Sequence, residues 1–319
     1  MTFLLAFLRS ISRSQCPAIS AGRSRVKGRE RSVSASKCVV RVGSWLASVA
    51  LLFGAAAAQG ATVSYNTGSL GPAANGTNAD AVTTGPGAVS AGGDQAAVYP
   101  GVFGANTVVP HQAALNPASA SPFTVEFWGN PTASDNDDAP LSNRIASGNR
   151  SGWVFFQRDA ATGWNFRMYS GAGSALGWDL TGGTAPLNDW SHVVATWDGT
   201  AARLYVNGEL ADDSNDPGAS GVYNASTTAN LIVANSDTSS PYTGSVDEVA
   251  FYAAALSPGQ VASHFGAASS ASPTEYHSLI RSEGALLQLS NNPVPEPSAT
   301  ALLGAAAALL LRRRASRPH

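Results

Sequence analysis

The chain has 319 residues, 44% of them apolar and only 13% charged, with 32 Gly and 18 Pro. Charged residues run at about half the usual ~25%, which excludes a coiled coil, a charged helical repeat and an ordinary cytosolic enzyme, and fits a turn-rich β protein. The net charge of −2 conceals a division, because residues 62–292 hold six arginines and nineteen acids, hence −13, between basic ends of +8 and +3. Such a body repels phosphate backbones, so nucleic acid is excluded as a partner. It is expected instead to attract divalent cations or to remain soluble by self-repulsion.

Arg41 precedes an apolar run over residues 42–58, and small residues follow through Ala61. A basic flank, an apolar core and a small-residue exit make a secretory signal, cut by signal peptidase after Ala58 or Ala61. The alternative is a membrane anchor, for which the run is short against the ~20 residues of a span. Both cysteines, Cys16 and Cys38, lie upstream of the cut. A mature chain would therefore contain no disulfide, no thiol nucleophile and no cysteine-ligated zinc.

From Thr62 onward, short β-rich runs alternate with Gly, Asn, Asp and Pro. Strands are expected at 123–128, 153–157, 164–169, 190–197, 203–206, 231–234 and 245–252. Asn207-Gly208 marks a type I′ hairpin turn, which needs positive φ at both positions. The single helix expected is short, residues 257–264, with Ser257 as cap and Pro258 at its first position. Many strands over about 200 residues make an all-β, two-sheet antiparallel sandwich. Its inner layer is expected to draw on Phe123, Val125, Phe127, Trp128, Val194, Trp197, Leu204, Val206, Ile232, Val249 and Phe251, with about half of them deeply buried.

Three segments then resemble a known family: Phe123-Thr-Val-Glu-Phe-Trp128, Trp190-Ser-His-Val-Val-Ala-Thr-Trp-Asp-Gly through Val206-Asn-Gly-Glu209, and Gly244-Ser-Val-Asp-Glu-Val-Ala-Phe-Tyr through Leu256-Ser257. Their order and spacing are similar to the laminin-G-like jelly roll of the concanavalin A-like superfamily. The resemblance implies that fold for residues 62–266, and a calcium ion held through the aspartate of the last long strand, Asp247. The alternative is that Asp247 caps the strand end. Calcium takes six to eight oxygens, with backbone carbonyls supplying most of them.

The chain's end reads Pro295-Glu296-Pro297, an apolar stretch over 299–311, then Arg312, Arg313 and Arg314. This resembles the PEP-CTERM sorting signal of Gram-negative bacteria and implies handling by an exosortase, with the membrane as partner before processing. The arginines would hold that end in the cytoplasm and leave the domain outside. The expected organisation is an N-terminal segment with signal peptide at 1–61, a jelly roll at 62–266, a linker at 267–292, a sorting signal at 293–314 and a tail at 315–319.

Catalysis is poorly supplied. Glycoside hydrolysis needs two carboxylates facing each other across the bond, and the hydrolase spacing Glu-x-Asp-x-x-Glu does not occur. Glu126 stands alone on its strand, and a regular strand sends the adjacent Asp247 and Glu248 to opposite faces. His111, His192, His264 and His277 are scattered, no Gly-x-Ser-x-Gly elbow occurs, and no histidine cluster suggests zinc. His192 is expected to be a satisfied core or rim residue. The acidic loops 135–138 and 212–216 are expected to be solvated. Of the tryptophans, Trp178 beside Gly177 is the candidate for an exposed sugar-stacking platform, with core packing as its alternative. The expected function is that of an exported, exosortase-sorted envelope or matrix protein that binds polysaccharide or a surface protein without catalysis. A structural acidic surface protein and a divergent glycosidase are the alternatives.

Overall fold

The computed structural model describes residues 63–89, 93–133, 137–237 and 240–291. The apolar run at 42–58 and the residues Pro295, Glu296, Pro297, Arg312, Arg313 and Arg314 lie outside the described residues. Among the described residues, no helix is long and apolar enough to cross a membrane.

Among the described residues, runs of β-branched and aromatic residues become sixteen strands: β1 (Val63–Asn66), β2 (Gly76–Asn78), β3 (Thr83–Pro86), β4 (Gln95–Pro100), β5 (Thr107–Val109), β6 (Phe123–Pro131), β7 (Asp138–Ile145) and β8 (Ser151–Gln157). They continue with β9 (Trp164–Tyr169), β10 (Leu176–Gly182), β11 (Ser191–Trp197), β12 (Ala202–Val206), β13 (Glu209–Asp212), β14 (Leu231–Val233), β15 (Thr243–Tyr252) and β16 (Ala285–Ser290). One layer runs β10-β9-β8-β7-β14-β5-β2-β1 and the other β16-β15-β6-β11-β12-β13, with β4 added to β15 and β3 to β4. The strand pairs are antiparallel, and β1 with β16 joins the layers along one side, Tyr65 opposite Ser290. The β12–β13 hairpin turns on Asn207 at φ 53° and Gly208 at φ 81°, the positive pair that a type I′ turn requires.

Alternation decides what lies between the layers. Phe123, Val125 and Phe127 of β6 point inward, and Phe127 meets Phe155 at 5.1 Å and Trp164 at 5.7 Å, both edge-on and both from the facing layer. Leu204, Val206, Trp197, Val249 and Phe251 join them as expected. Ile232 does not, because Leu231 and Val233 take the inward positions of β14. Trp128 and Val194 are buried too, but on the opposite face of β6 and β11. Burial therefore exceeds the half that a one-sided sheet allows. The reason is a cover on the second face.

That cover is made by two helices. The first, α1 (Pro258–Ala268), starts as the sequence indicates, with Ser257 and Gln260 closing a capping box. The second, α2 (Pro273–Ser282), uses the same device at Ser272 and Glu275. Val261 and Ala268 of α1 and Tyr276 and Ile280 of α2 pack on Trp128, Val194, Tyr205 and Tyr252. Residues 267–292 are thus no linker. Their described part contributes a helix and then β16, which pairs with β15 and β1. The Ser-Pro-x-Glu start at 272–275 and the apolar stretch at 285–289 carry that signal in the sequence.

This packing has two consequences for stability. Phe127→Ala should lose about 3–5 kcal/mol in denaturant unfolding, as for other buried phenylalanines. Deleting residues 285–291 should abolish cooperative unfolding, since both layers lose their shared strand; a linker deletion would leave the melt unchanged.

Candidate functional site

The helix-covered face carries the chemistry, because outward-pointing polar residues of β6, β11 and β15 are sealed beneath α1 and α2. Glu126 is fully buried at the centre. Tyr252 donates its hydroxyl to Glu126 Oε1 at 2.6 Å, His264 Nδ1 lies 2.9 Å from Oε2, and His192 Nε2 lies 3.4 Å from the same oxygen. On its other side, His264 Nε2 is 3.2 Å from Glu283 Oε2. Burial alone would push the Glu126 carboxyl up, but the charge of His264 and the bonds from both histidines outweigh it and hold the group well below the carboxylate range. Burial likewise pulls His264 down, and the charges of Glu126 and then Glu283 outweigh that and raise it. The pair is an internal ion pair that ties α1 to the sheet. His192 is a core histidine, stacked 4.9 Å from Trp128, but not a fully satisfied one, because its Nδ1 is buried with no hydrogen-bond partner among the described residues.

A second cluster lies along β15. The ladder with β6 slips between Asp247 and Ala250, and Glu248 adopts φ 49°. This β-bulge inserts one residue and re-aims the chain. The expectation that Asp247 and Glu248 face opposite sides is therefore corrected: the bulge turns both into one pocket with Asp94, which sits just before β4. Asp247 is 1% and Glu248 2% exposed. Asp247 Oδ2 accepts the Ala88 amide at 2.8 Å, and Asp94 Oδ2 accepts that of Val89 at 2.9 Å. A side chain at Gly87 would collide with Asp94 Oδ2 and stand 2.8 Å from Asp247 Oδ2, so only glycine allows this approach. His277 of α2 bonds Glu248 Oε1 at 2.5 Å. Ligand atoms of Asp94, Glu248 and His277 lie within 4.8 Å of one another, a convergence that the sequence reading of scattered histidines missed.

Here the electrostatics run the other way. Burial, then the Glu248 and Asp94 charges, raise the Asp247 carboxyl well above its usual value, and burial and Asp94 do the same to Glu248. Burial lowers His277. Among the described residues, Asp247 Oδ1 and Glu248 Oε2 are buried without a hydrogen-bond partner. Buried oxygens of this kind are rare unless water or an ion completes them.

Trp178 presents no platform. It is 9% exposed and packs edge-on against Trp197 at 5.7 Å, because its position on β10 falls opposite the inward Met168. Of the acidic loops, Asp137 pairs with Arg158, and Asp212 accepts from the Thr181 amide at 2.8 Å.

Among protein families, the Laminin_G_3 model, described as the concanavalin A-like lectin/glucanases superfamily, matches residues 103–262. No curated protein matches the chain. Among solved structures, the binding domain of Paraclostridial Mosquitocidal Protein 1 is 17% identical with a TM-score of 0.49, over 64% of this chain and 52% of that one. The chain thus spans about half of that protein. Domain 4 of AbnA, an extracellular arabinanase from Geobacillus stearothermophilus, in complex with arabinotriose, is 18% identical with a TM-score of 0.43, over 64% of this chain and 98% of that one. The botulinum neurotoxin serotype G binding domain is 14% identical with a TM-score of 0.48, over 65% and 51%.

The His264 ion pair sets a pH dependence. A histidine raised in the folded state stabilises fully below its unfolded value of about 6.5 and loses that contribution as pH rises through the folded value. Stability should fall as pH rises above 6.5, and His264→Gln should flatten that part of the profile in urea unfolding at a series of pH values. His264→Ala, which strands a buried carboxylate, should cost about 3–5 kcal/mol at pH 6.

Proposed function

The chain belongs to the Laminin_G_3 family of the concanavalin A-like lectin/glucanases superfamily, and on that premise we propose that it is an exported, non-catalytic binding protein of a Gram-negative cell envelope or extracellular matrix. Its jelly roll holds carbohydrate or a surface protein in adhesion or biofilm, after processing by signal peptidase and exosortase. The terminal signals at 42–61 and 295–314 support the export part. The observation that carries the non-catalytic part is the burial of the strand acids. Glu126, Asp247 and Glu248 are each no more than 2% exposed and lie beneath the two helices, where no glycosidic bond reaches them. Glu126 is also held ionised, the wrong state for an acid that must donate a proton.

The convergence of buried acids in the second cluster supports a site there for the calcium that the family resemblance implies. The two unpartnered buried oxygens fit a hard cation. Asp247, Glu248 and Asp94 would hold it, and His277 would orient Glu248 through their hydrogen bond. Bound there, the ion would neutralise the acid cluster and brace β15 against Asp94 and the Ala88 and Val89 amides that the acids accept. It would take no part in chemistry.

Two measurements test these readings. Saturable binding to members of a glycan array, with no reducing-sugar release, is expected; sugar release would overturn the non-catalytic reading, and a blank array would favour a structural surface protein. For calcium, chelation should lower the melting temperature. A site at 100 times its dissociation constant contributes about 2.7 kcal/mol, and roughly 2–4 °C is lost per kcal/mol. Asp247→Asn should remove the sensitivity, while Asp137→Asn keeps it. Identical melts with calcium and chelator would remove the ion from the reading.

A further inference from the structure

The described body is strongly anionic, yet four of its six arginines gather on one surface. That surface is the outer face of β7–β10, the side away from the helices. On β8 and β9 the residues Trp153, Phe155, Phe166 and Met168 point into the core, so Val154, Phe156, Arg167 and Tyr169 point out. The guanidinium carbons of Arg144, Arg158 and Arg167 stand 5.3, 5.7 and 5.3 Å from the Phe156 ring centre. Those of Arg144 and Arg150 stand 5.6 and 5.8 Å from the Tyr169 ring. Three like charges around one phenyl ring repel each other, and burial followed by the charge of Arg167 lowers Arg158.

The partners already present are carboxylates. Asp237 meets Arg144 and Asp179 meets Arg167, each at 3.2 Å, and Asp137 meets Arg158. Arg150 and Arg167 hydrogen-bond to other described residues through Nε alone, to Ala146 O at 3.0 Å and to Asp179 Oδ1 at 3.2 Å. Both side chains are partly exposed. Each guanidinium is held over an aromatic face, which limits the rotamer entropy that binding would otherwise cost.

We propose that this arginine-lined face is a binding site for an acidic polysaccharide whose sugars carry carboxylates. The planar fork of a guanidinium matches a carboxylate with two parallel bonds, and this face already grips three of them. The body's overall negative charge disfavours a densely charged polymer such as nucleic acid. A uronate chain, charged once per sugar, suffers less repulsion and offers ring faces and hydroxyls besides. The inference rests on the reading that the domain binds carbohydrate, and it narrows that reading to a ligand class and a place.

The test measures binding of the full chain to polygalacturonate, to its methyl ester, which has the same backbone without the charge, and to anionic phospholipid vesicles. Polygalacturonate should bind, and the ester should bind at least about tenfold more weakly, the loss of one charge-assisted pair. Arg150→Gln with Arg167→Gln should produce a similar loss at an unchanged melting temperature, while Arg203→Gln, outside the face, should not. Equal binding of acid and ester, or an unaffected double variant that still folds, overturns this proposal and leaves carbohydrate binding standing. Binding to vesicles but not polyuronate, with the same arginine dependence, overturns it in favour of a lipid surface. Failure on every polysaccharide overturns both readings.

Discussion

A carboxylate without solvent in the middle of a sheet is the constraint on which half of this fold depends. Taking Glu126 out of water costs several kcal/mol unless a countercharge and hydrogen bonds replace the lost hydration. Neighbouring strands supply His192 and Tyr252, which give hydrogen bonds. The countercharge comes from His264 on α1, so the helix must dock for the sheet to tolerate its own residue. Docking then brings Val261 against the aromatic surface of Trp128 and Tyr252, and apolar burial at about 25 cal/mol per Å² adds its own stabilisation. Glu283, just beyond α2, approaches the far side of the same imidazole, so both helices are bound into one electrostatic unit.

The acid cluster a strand away obeys the opposite rule. Glu126 is surrounded by donors and cations and stays charged. Asp247 and Glu248 face each other and Asp94, so the pocket favours protons or a cation. The difference is set by backbone more than by composition, because one extra residue in β15 turns Glu248 toward Asp94. Across the sandwich the signs reverse again, with arginines concentrated over Phe156 and Tyr169. A chain that looks uniformly acidic by count therefore gathers four of its six arginines on one outer face, among their paired aspartates, while a cluster of buried acids lies beneath the helices.

Much of the sandwich was legible because its signals are local. Alternation in Phe123–Trp128 and Trp164–Tyr169, and the Asn-Gly turn at 207–208, act over a few residues and survive folding unchanged. The features that escaped depend on contacts far apart in sequence. No period in 231–234 says which of Leu231 and Ile232 turns inward, since β5 and β7 decide it from either side. Trp178 reads as a loop residue beside Gly177, yet its pairing with β9 turns it to the core. The acid pocket joins residues 94, 247, 248 and 277, and the bulge that assembles it leaves no mark in a sequence of otherwise ordinary β residues. The second helix and β16 are a different case. Their capping box and apolar stretch were readable, but the family pattern stops at α1, and a segment just past a familiar domain is easily taken for a tether.

The strand that closes the sandwich also determines how it would bear load. β1 begins where β16 ends, with Tyr65 opposite Ser290 and Asn66 opposite Leu289, so the domain's first and last strands run antiparallel with their outer ends side by side. A pull applied through those two ends would act across the strands and along their hydrogen bonds, opening the seam like a zipper, one pair at a time. Strands loaded in shear must break all their bonds together and resist far more. The jelly roll is thus mechanically softest along this seam, and stretching would free β1 and β16 before it disturbed either the acid pocket or the arginine face.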